Sequence, residues 1–243
     1  MVNIVNQGTL GGGFRHYSGL VPVNMGSGSV MPASVKIFHI PSANAVATYR
    51  GDIIVSASGA IGTQGGADLP ENIASPSSSS VVIGNGGGSG LGNTAMAPNA
   101  IRWVAGDTTS LILGVCVGFG PITLYMAKNG FQYIPASTEA WVYVETDPNV
   151  ECYITVPTVP SPAFNLQLMS GADVQENAGS QASRFGISGV SLNPTLATTS
   201  TLPLRVLSSG EEIGNDTLAT GFIAKVSFNL TRHFRGTGAF VAA

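Results

Sequence analysis

The chain has 243 residues, of which only 9% are charged and 32 are glycine, and its formal net charge is −3. Ordinary soluble domains carry roughly 25% charged residues and about half this share of glycine. A hydrophobic fraction of 44% excludes a disordered polyelectrolyte, and ten scattered Lys and Arg residues form no basic stripe of the kind that grips nucleic acid.

Residues 1–34 are rich in glycine and serine and show no clear period. The first residues lack the basic and apolar regions of a secretory signal. Within GGGFRHYSG, Phe14, Arg15, His16 and Tyr17 stand in a glycine frame. They read either as part of a poorly ordered terminus or as anchors of an arm that orders on a partner, capsid or neighbouring protomer.

Regular structure is predicted to begin at Val35–Ile40, where Val35, Ile37 and His39 alternate with Lys36, Phe38 and Ile40. A strand over Val46–Ser56 follows, broken at Gly51-Asp52 by a turn or bulge. Residues 59–99 have loop composition; their glycines match no phosphate-binding pattern and read as a spacer or surface arm. Strands are then expected at Ile101–Ala105, Leu111–Phe119 and Phe131–Ile134. LILGVCVGF, nearly continuous in apolar residues, suits a central strand covered on both faces.

From Trp141 to Val156 two β-forming runs flank Thr146-Asp147-Pro148-Asn149, a turn sequence, so a β-hairpin is expected. Val150, Cys152, Ile154 and Val156 alternate with Glu151, Tyr153 and Thr155. Prolines 157, 160 and 162 read as a linker, and further strands are expected at Ala163–Met169, Arg184–Leu192, Leu202–Leu207 and Gly221–Thr231. Asn193-Pro194 is suited to start a single helical turn. No apolar run reaches the roughly 20 residues of a membrane helix. Short strands between Gly, Pro and Ser turns predict an all-β fold with a sandwich- or barrel-like core and very little helix. Three parts are expected: an arm over 1–34, a β-domain over 35–157 with its long loop 59–99, and a second β-subdomain over 158–243 that packs on or completes the first.

Catalytic patterns are missing. His16, His39 and His233 are far apart, and there is no His-x-x-x-His, Cys-x-x-Cys or EF-hand spacing, so neither a metal nor a cofactor is expected. No nucleophile elbow is present. Cys116 lies in an apolar strand where nothing would lower its pKa, and both it and Cys152 are expected as reduced, packed thiols. Carboxylates could make a glycosidase pair, for instance Glu145 with Glu151 across the expected hairpin, but aromatic sugar platforms are lacking. Arg232-His233-Phe234-Arg235 reads as a solvated strand end in preference to a nucleic-acid contact. The residues point to a non-enzymatic structural or binding protein.

An ordered set of short motifs adds to this reading: Tyr49-Arg50-Gly51-Asp52, Gly114-Val115-Cys116-Val117-Gly118-Phe119, Tyr133-Ile134-Pro135-Ala136, and Asp147-Pro148-Asn149-Val150-Glu151 with Tyr153-Ile154. It continues with Gly186-Ile187-Ser188-Gly189-Val190-Ser191-Leu192-Asn193-Pro194, Leu202-Pro203-Leu204-Arg205-Val206-Leu207 and Gly214-Asn215-Asp216. In order and spacing, over about residues 45–230, the chain resembles the head decoration (cement) proteins of tailed bacteriophages. The resemblance implies an all-β virion protein, assembled in the host cytoplasm. It would bind the major capsid protein on the outer face of the shell, often as a homotrimer at three-fold positions, and stabilise the capsid; from the charge pattern and hydropathy, neither nucleic acid nor membrane is expected as a partner. The motif residues look like turn and core positions, so no binding residue is carried over from the family. A receptor- or glycan-binding virion module, such as a fibre tip, is the alternative.

Overall fold

The structure is a computed structural model that describes residues 19–24, 34–41, 44–57, 99–107, 109–119, 133–138, 140–159, 169–176, 186, 188–197, 201–209 and 215–235. Among these the fold is all-β, with twelve strands and no helix. In chain order they are β1 (Val21–Asn24), β2 (Val35–Ile40), β3 (Ile53–Ser56), β4 (Ala100–Arg102), β5 (Ile112–Phe119), β6 (Ala140–Glu145), β7 (Glu151–Val156), β8 (Gly171–Ala172), β9 (Val174–Glu176), β10 (Val190–Leu192), β11 (Leu204–Ser209) and β12 (Phe222–Phe228).

Two five-stranded antiparallel sheets carry the architecture, consistent with a β-sandwich. One has the order β1-β7-β12-β11-β8 and the other β2-β6-β5-β3-β4, while β9 and β10 form a separate antiparallel pair. Between the sheets, Ile53, Val55, Ile112 and Val115 of the second meet Cys152, Ile154, Val156, Ala224 and Val226 of the first in one apolar cluster. Full burial of each Val or Ile side chain here is worth about 1.5–3 kcal/mol, so this layer holds the two sheets together.

The opposite face of the second sheet is apolar too. Phe38, Ile40, Ile54, Ala100, Leu113, Cys116, Val142 and Val144, drawn from all five strands, form a cluster with Ile134, Phe119 and Phe234. A parallel bridge from His39 to Asn99, with Nδ1 and Oδ1 at 2.8 Å, brings edge strand β2 alongside the start of edge strand β4. The sheet therefore curls round this second core, a barrel-like element inside a sandwich. β5 lies between β6 and β3 with its first residues buried on both faces, as its continuous apolar run predicts.

The expected hairpin is not one. Residues 146–150 do reverse the chain: the Asp147 carbonyl accepts the Val150 N–H at 3.2 Å and its Oδ1 accepts the Asn149 N–H at 2.9 Å. But β6 pairs with β2 and β5, and β7 with β1 and β12, so the turn is a corner between the sheets. Both hydrogen-bonding edges of β6 are already occupied, which leaves none for β7.

Other boundaries shift as well. Val46–Ser56 divides at the anticipated break, with Gly51 at φ 90 and the Asp52 N–H bonded to the Tyr49 carbonyl at 3.2 Å, and only β3 continues as strand. In the predicted strand Phe131–Ile134, the described part contributes a single bridge, Ile134 to Thr48. Asn193-Pro194 starts no helical turn; the Asn193 carboxamide instead accepts the Thr195 N–H at 2.9 Å. The strand predicted over Gly221–Thr231 ends at Phe228, leaving Leu230 exposed. Inside the segment read as an arm, Val21–Asn24 adds to β7 as an edge strand, and Leu20 joins the inter-sheet core. From the C-terminal part, β12 pairs with β7 over Phe222–Ser227 and so completes a sheet begun by the N-terminal part.

Candidate functional site

Phe14, Arg15, His16 and Tyr17, the residues named above as candidate contacts, lie outside the described residues. Two polar junctions within the described residues gather several segments each.

The first is the turn at Thr48–Asp52. Asp52 is 1% exposed; its Oδ2 accepts the Tyr49 N–H at 2.7 Å and pairs with the Arg102 Nε at 3.0 Å. The Arg102 guanidinium stands 6.0 Å from the centroid of the Tyr49 ring, which stacks on Tyr133 at 4.9 Å. The turn's backbone reaches four other segments. Thr48 and Ile134 exchange bonds, Gly51 and Asp52 bond Cys116, and Arg50 bonds Gly186 and Ser188. The Gly51 carbonyl accepts the Leu20 N–H at 2.9 Å. Four of the motifs quoted above, separated in sequence, thus meet at one point. Gly51 must be glycine there, because its φ is 90 and a Cβ would lie 3.2 Å from the Leu20 backbone.

Asp173, between β8 and β9, makes the second junction. Its Oδ1 accepts the Trp103 Nε1–H at 3.0 Å and the Val174 N–H at 2.8 Å, and its Oδ2 accepts the Gly106 N–H at 2.7 Å. Over the Trp103 ring, at 5.2 Å, lies the Arg232 guanidinium, which donates to the carbonyls of Thr201 and Ser110 at 2.5 and 2.7 Å. Asp107 lies 4.0 Å from that guanidinium; burial raises its pKa, but hydrogen bonds from Ser110 and Thr109 outweigh this and hold the carboxyl below its usual value. The first half of Arg232-His233-Phe234-Arg235 is therefore no solvated strand end, with Arg232 7% exposed and His233 0%, while Arg235 is exposed as expected. Nothing in the charge pattern distinguishes a guanidinium that seals a core from one in solvent, so these residues were not legible as structural.

The Glu145/Glu151 pair shares no cleft. Glu145 is fully buried at the sheet corner and accepts from the Ser34 hydroxyl and, at 3.0 Å, from the Asp147 N–H. Glu151, on β7, pairs instead with Lys225 at 3.4 Å. Both cysteines are free and buried, in different cores. Burial, then Asp52, pushes the Cys116 thiol up, and burial with Glu145 and Glu151 does the same to Cys152, so neither carries a ready thiolate. His39 packs edge-on against Trp141 at 5.4 Å, with its Nδ1 at 2.8 Å from the Asn99 Oδ1. Among the described residues no group of three or more His, Cys, Asp or Glu is placed to hold a metal ion, and no helix is long and apolar enough to cross a membrane.

These carboxylates and guanidiniums chiefly join segments of the fold. On the surface stand large apolar side chains: Ile37, Val104, Val159, Met169, Leu218 and Leu230 are all at least partly exposed, Leu218 by 72%. No protein-family model, no curated protein and no solved structure matches the chain.

Proposed function

We propose that this chain is a structural virion protein that binds the outer surface of a phage capsid and stabilises the shell, acting as a homotrimer. The observation that carries the reading is the convergence of the family-like motifs. Four of the seven segments that resemble decoration proteins in linear order come together at Thr48–Asp52, where Arg50, Gly51, Cys116, Ile134, Gly186 and Ser188 share backbone bonds. A common frame would produce that arrangement, whereas chance similarities would scatter over the fold. The charge economy agrees with it. At 9% charged residues, with Asp52, Arg102, Asp173 and Arg232 committed to internal junctions, little charge is left to repel a neighbouring protein surface.

A glycan-binding module would want an open aromatic platform. The Tyr49 ring is the natural candidate, yet it already stacks on Tyr133 and lies within cation–π range of Arg102. The decoration reading is therefore preferred.

The test mixes purified protein with expanded, undecorated heads. Co-sedimentation at micromolar concentration and a rise in the temperature at which the shells come apart are expected. Failure of both sinks the proposal. Light scattering should return three times the 24.8 kDa chain mass, in solution or after release from shells; a single-chain mass together with isolated single copies on the shell contradicts the trimer.

A further inference from the structure

After β12 the chain turns back across the sandwich as a strap, Asn229–Arg235. Asn229 makes the turn: its carbonyl accepts the N–H groups of Arg232 and His233 at 2.9 and 3.1 Å, and its side chain donates to the Leu202 carbonyl at 3.0 Å. The strap then pairs with the first residue of β5. The Ile112 N–H donates to the Arg232 carbonyl at 2.8 Å, and the Phe234 N–H to the Ile112 carbonyl at 3.0 Å. Arg232 covers Trp103 of the inter-sheet core, while Phe234 packs against the core of the curled sheet. One short segment thus closes both cores.

In its middle sits His233, 0% exposed, with ring centroids 5.7 Å from Phe228 and 5.0 Å from Phe234. Its Nδ1 accepts the Arg235 N–H at 3.2 Å, so the proton of the neutral ring is on Nε2, where no hydrogen bond of good geometry forms although the Leu113 backbone is near the ring. The charges acting on it are Arg235 on its own strap and Asp147 from the corner between β6 and β7, while the neighbouring Arg232 guanidinium is directed to Trp103 and the Thr201 and Ser110 carbonyls. Beyond Arg232 lies Asp107. β5 presents the Leu113 backbone and β12 presents Phe228, which carries no charge. A proton on Nδ1 would turn its accepted bond into a clash of two N–H groups and bury a cation among Phe228 and Phe234 with the Arg235 charge nearby.

We propose that the strap Asn229–Arg235 is a latch, held shut by neutral His233 and released from β5 when His233 is protonated. Burial first, with Arg235 in the same direction, lowers the imidazole pKa from 6.5 to about 4, against the pull of the Leu113 backbone and Asp147. Because the closed form binds its proton less readily than the open one, the latch is fully stable above about pH 6.5. It weakens about tenfold per unit as pH falls to about 4, roughly 300-fold over the window, and no further below it.

Amide hydrogen exchange on the full-length protein, corrected for intrinsic rates, tests this between about pH 7.5 and about pH 4.5. The amides of Ile112, His233 and Phe234 should lose protection about tenfold per unit below about pH 6.5, while the β7–β12 ladder keeps its own. His233→Asn retains an acceptor for the Arg235 N–H without titrating, and His233→Phe fills the slot; in both, protection of the strap should be flat with pH. Either variant suffices if the other does not fold. Constant protection in the wild type overturns the proposal. So does an unchanged pH slope in the variants, which would assign the response to Asp107 or Asp147, or loss of the strap and ladder amides together, which would be global unfolding.

Discussion

At the scale of single residues, the fold is decided where backbone approaches backbone. Gly114 has φ 151, and a Cβ built on it would stand 1.8 Å from the carbonyl oxygen of Glu145 on the neighbouring strand. Neither atom belongs to a flexible side chain, so β5 and β6 must separate before any larger residue fits. Gly114→Ala is accordingly expected to cost roughly 3–5 kcal/mol, the sum of overpacking and backbone strain. Urea denaturation measures it, and a loss below about 1 kcal/mol would show that the sheet yields more easily than interiors usually do. The apolar run around Gly114 was readable as a buried central strand, because burial on both faces needs apolar residues at every position. The reason for the glycine was not readable, since the atom it makes room for lies far along the chain on β6. The same holds for Arg232 and His233, whose partners Trp103, Ser110 and Ile112 are joined to them only by the tertiary fold.

Among elements, the corner between β6 and β7 shows what local pattern does and does not determine. Asp147-Pro148-Asn149 reverses the chain as its residue types predict, and the alternation from Val150 to Val156 places Cys152 and Ile154 in the core as expected. Which strand β7 pairs with depends on which edges remain open after β2 and β5 have taken both sides of β6, and no local signal reports that. The corner is fixed instead by groups distant in sequence. Ser34, at the entry to β2, donates to buried Glu145, while its carbonyl accepts the Thr146 hydroxyl at 2.6 Å and the Thr146 N–H at 3.2 Å. Removing the donor from a buried carboxylate costs more than losing an exposed hydrogen bond. Ser34→Ala should therefore destabilise by about 1.5–3 kcal/mol, and Thr146→Val by about 1 kcal/mol. The double variant should lose less than the sum, because both bonds hold the same junction. Strict additivity in denaturation, with unaltered exchange at the β2 amides, would show that the corner does not depend on them.

For the whole molecule, the position of β1 decides how the attachment proposal must be tested. If the N-terminal residues hold the protein to its shell or to a neighbouring protomer, shortening the chain should weaken attachment. Truncation through residue 30 cannot isolate that effect. It removes Leu20, which is 2% exposed in the inter-sheet core, and the strand that lies along β7 with Val21 beside Tyr153 and Ile223. Loss of one buried leucine alone costs about 2–5 kcal/mol in a core, so weak binding by that variant would report a damaged fold. Truncation through residue 18 spares the described contacts. Gly19 keeps its N–H on the Val190 carbonyl at 3.1 Å and Leu20 its own on Gly51. The shorter truncation should leave the melting temperature within about 2 °C of the full chain, a change of less than about 1 kcal/mol, while co-sedimentation with heads falls at least about tenfold, the equivalent of about 1.4 kcal/mol of attachment. Full attachment by a folded protein lacking residues 1–18 would remove Phe14, Arg15, His16 and Tyr17 as anchors and shift the search to exposed apolar side chains such as Leu218, Met169 and Val104. Substituting those by serine in the truncated background would then separate a flat docking face from an arm, since only the face would lose binding.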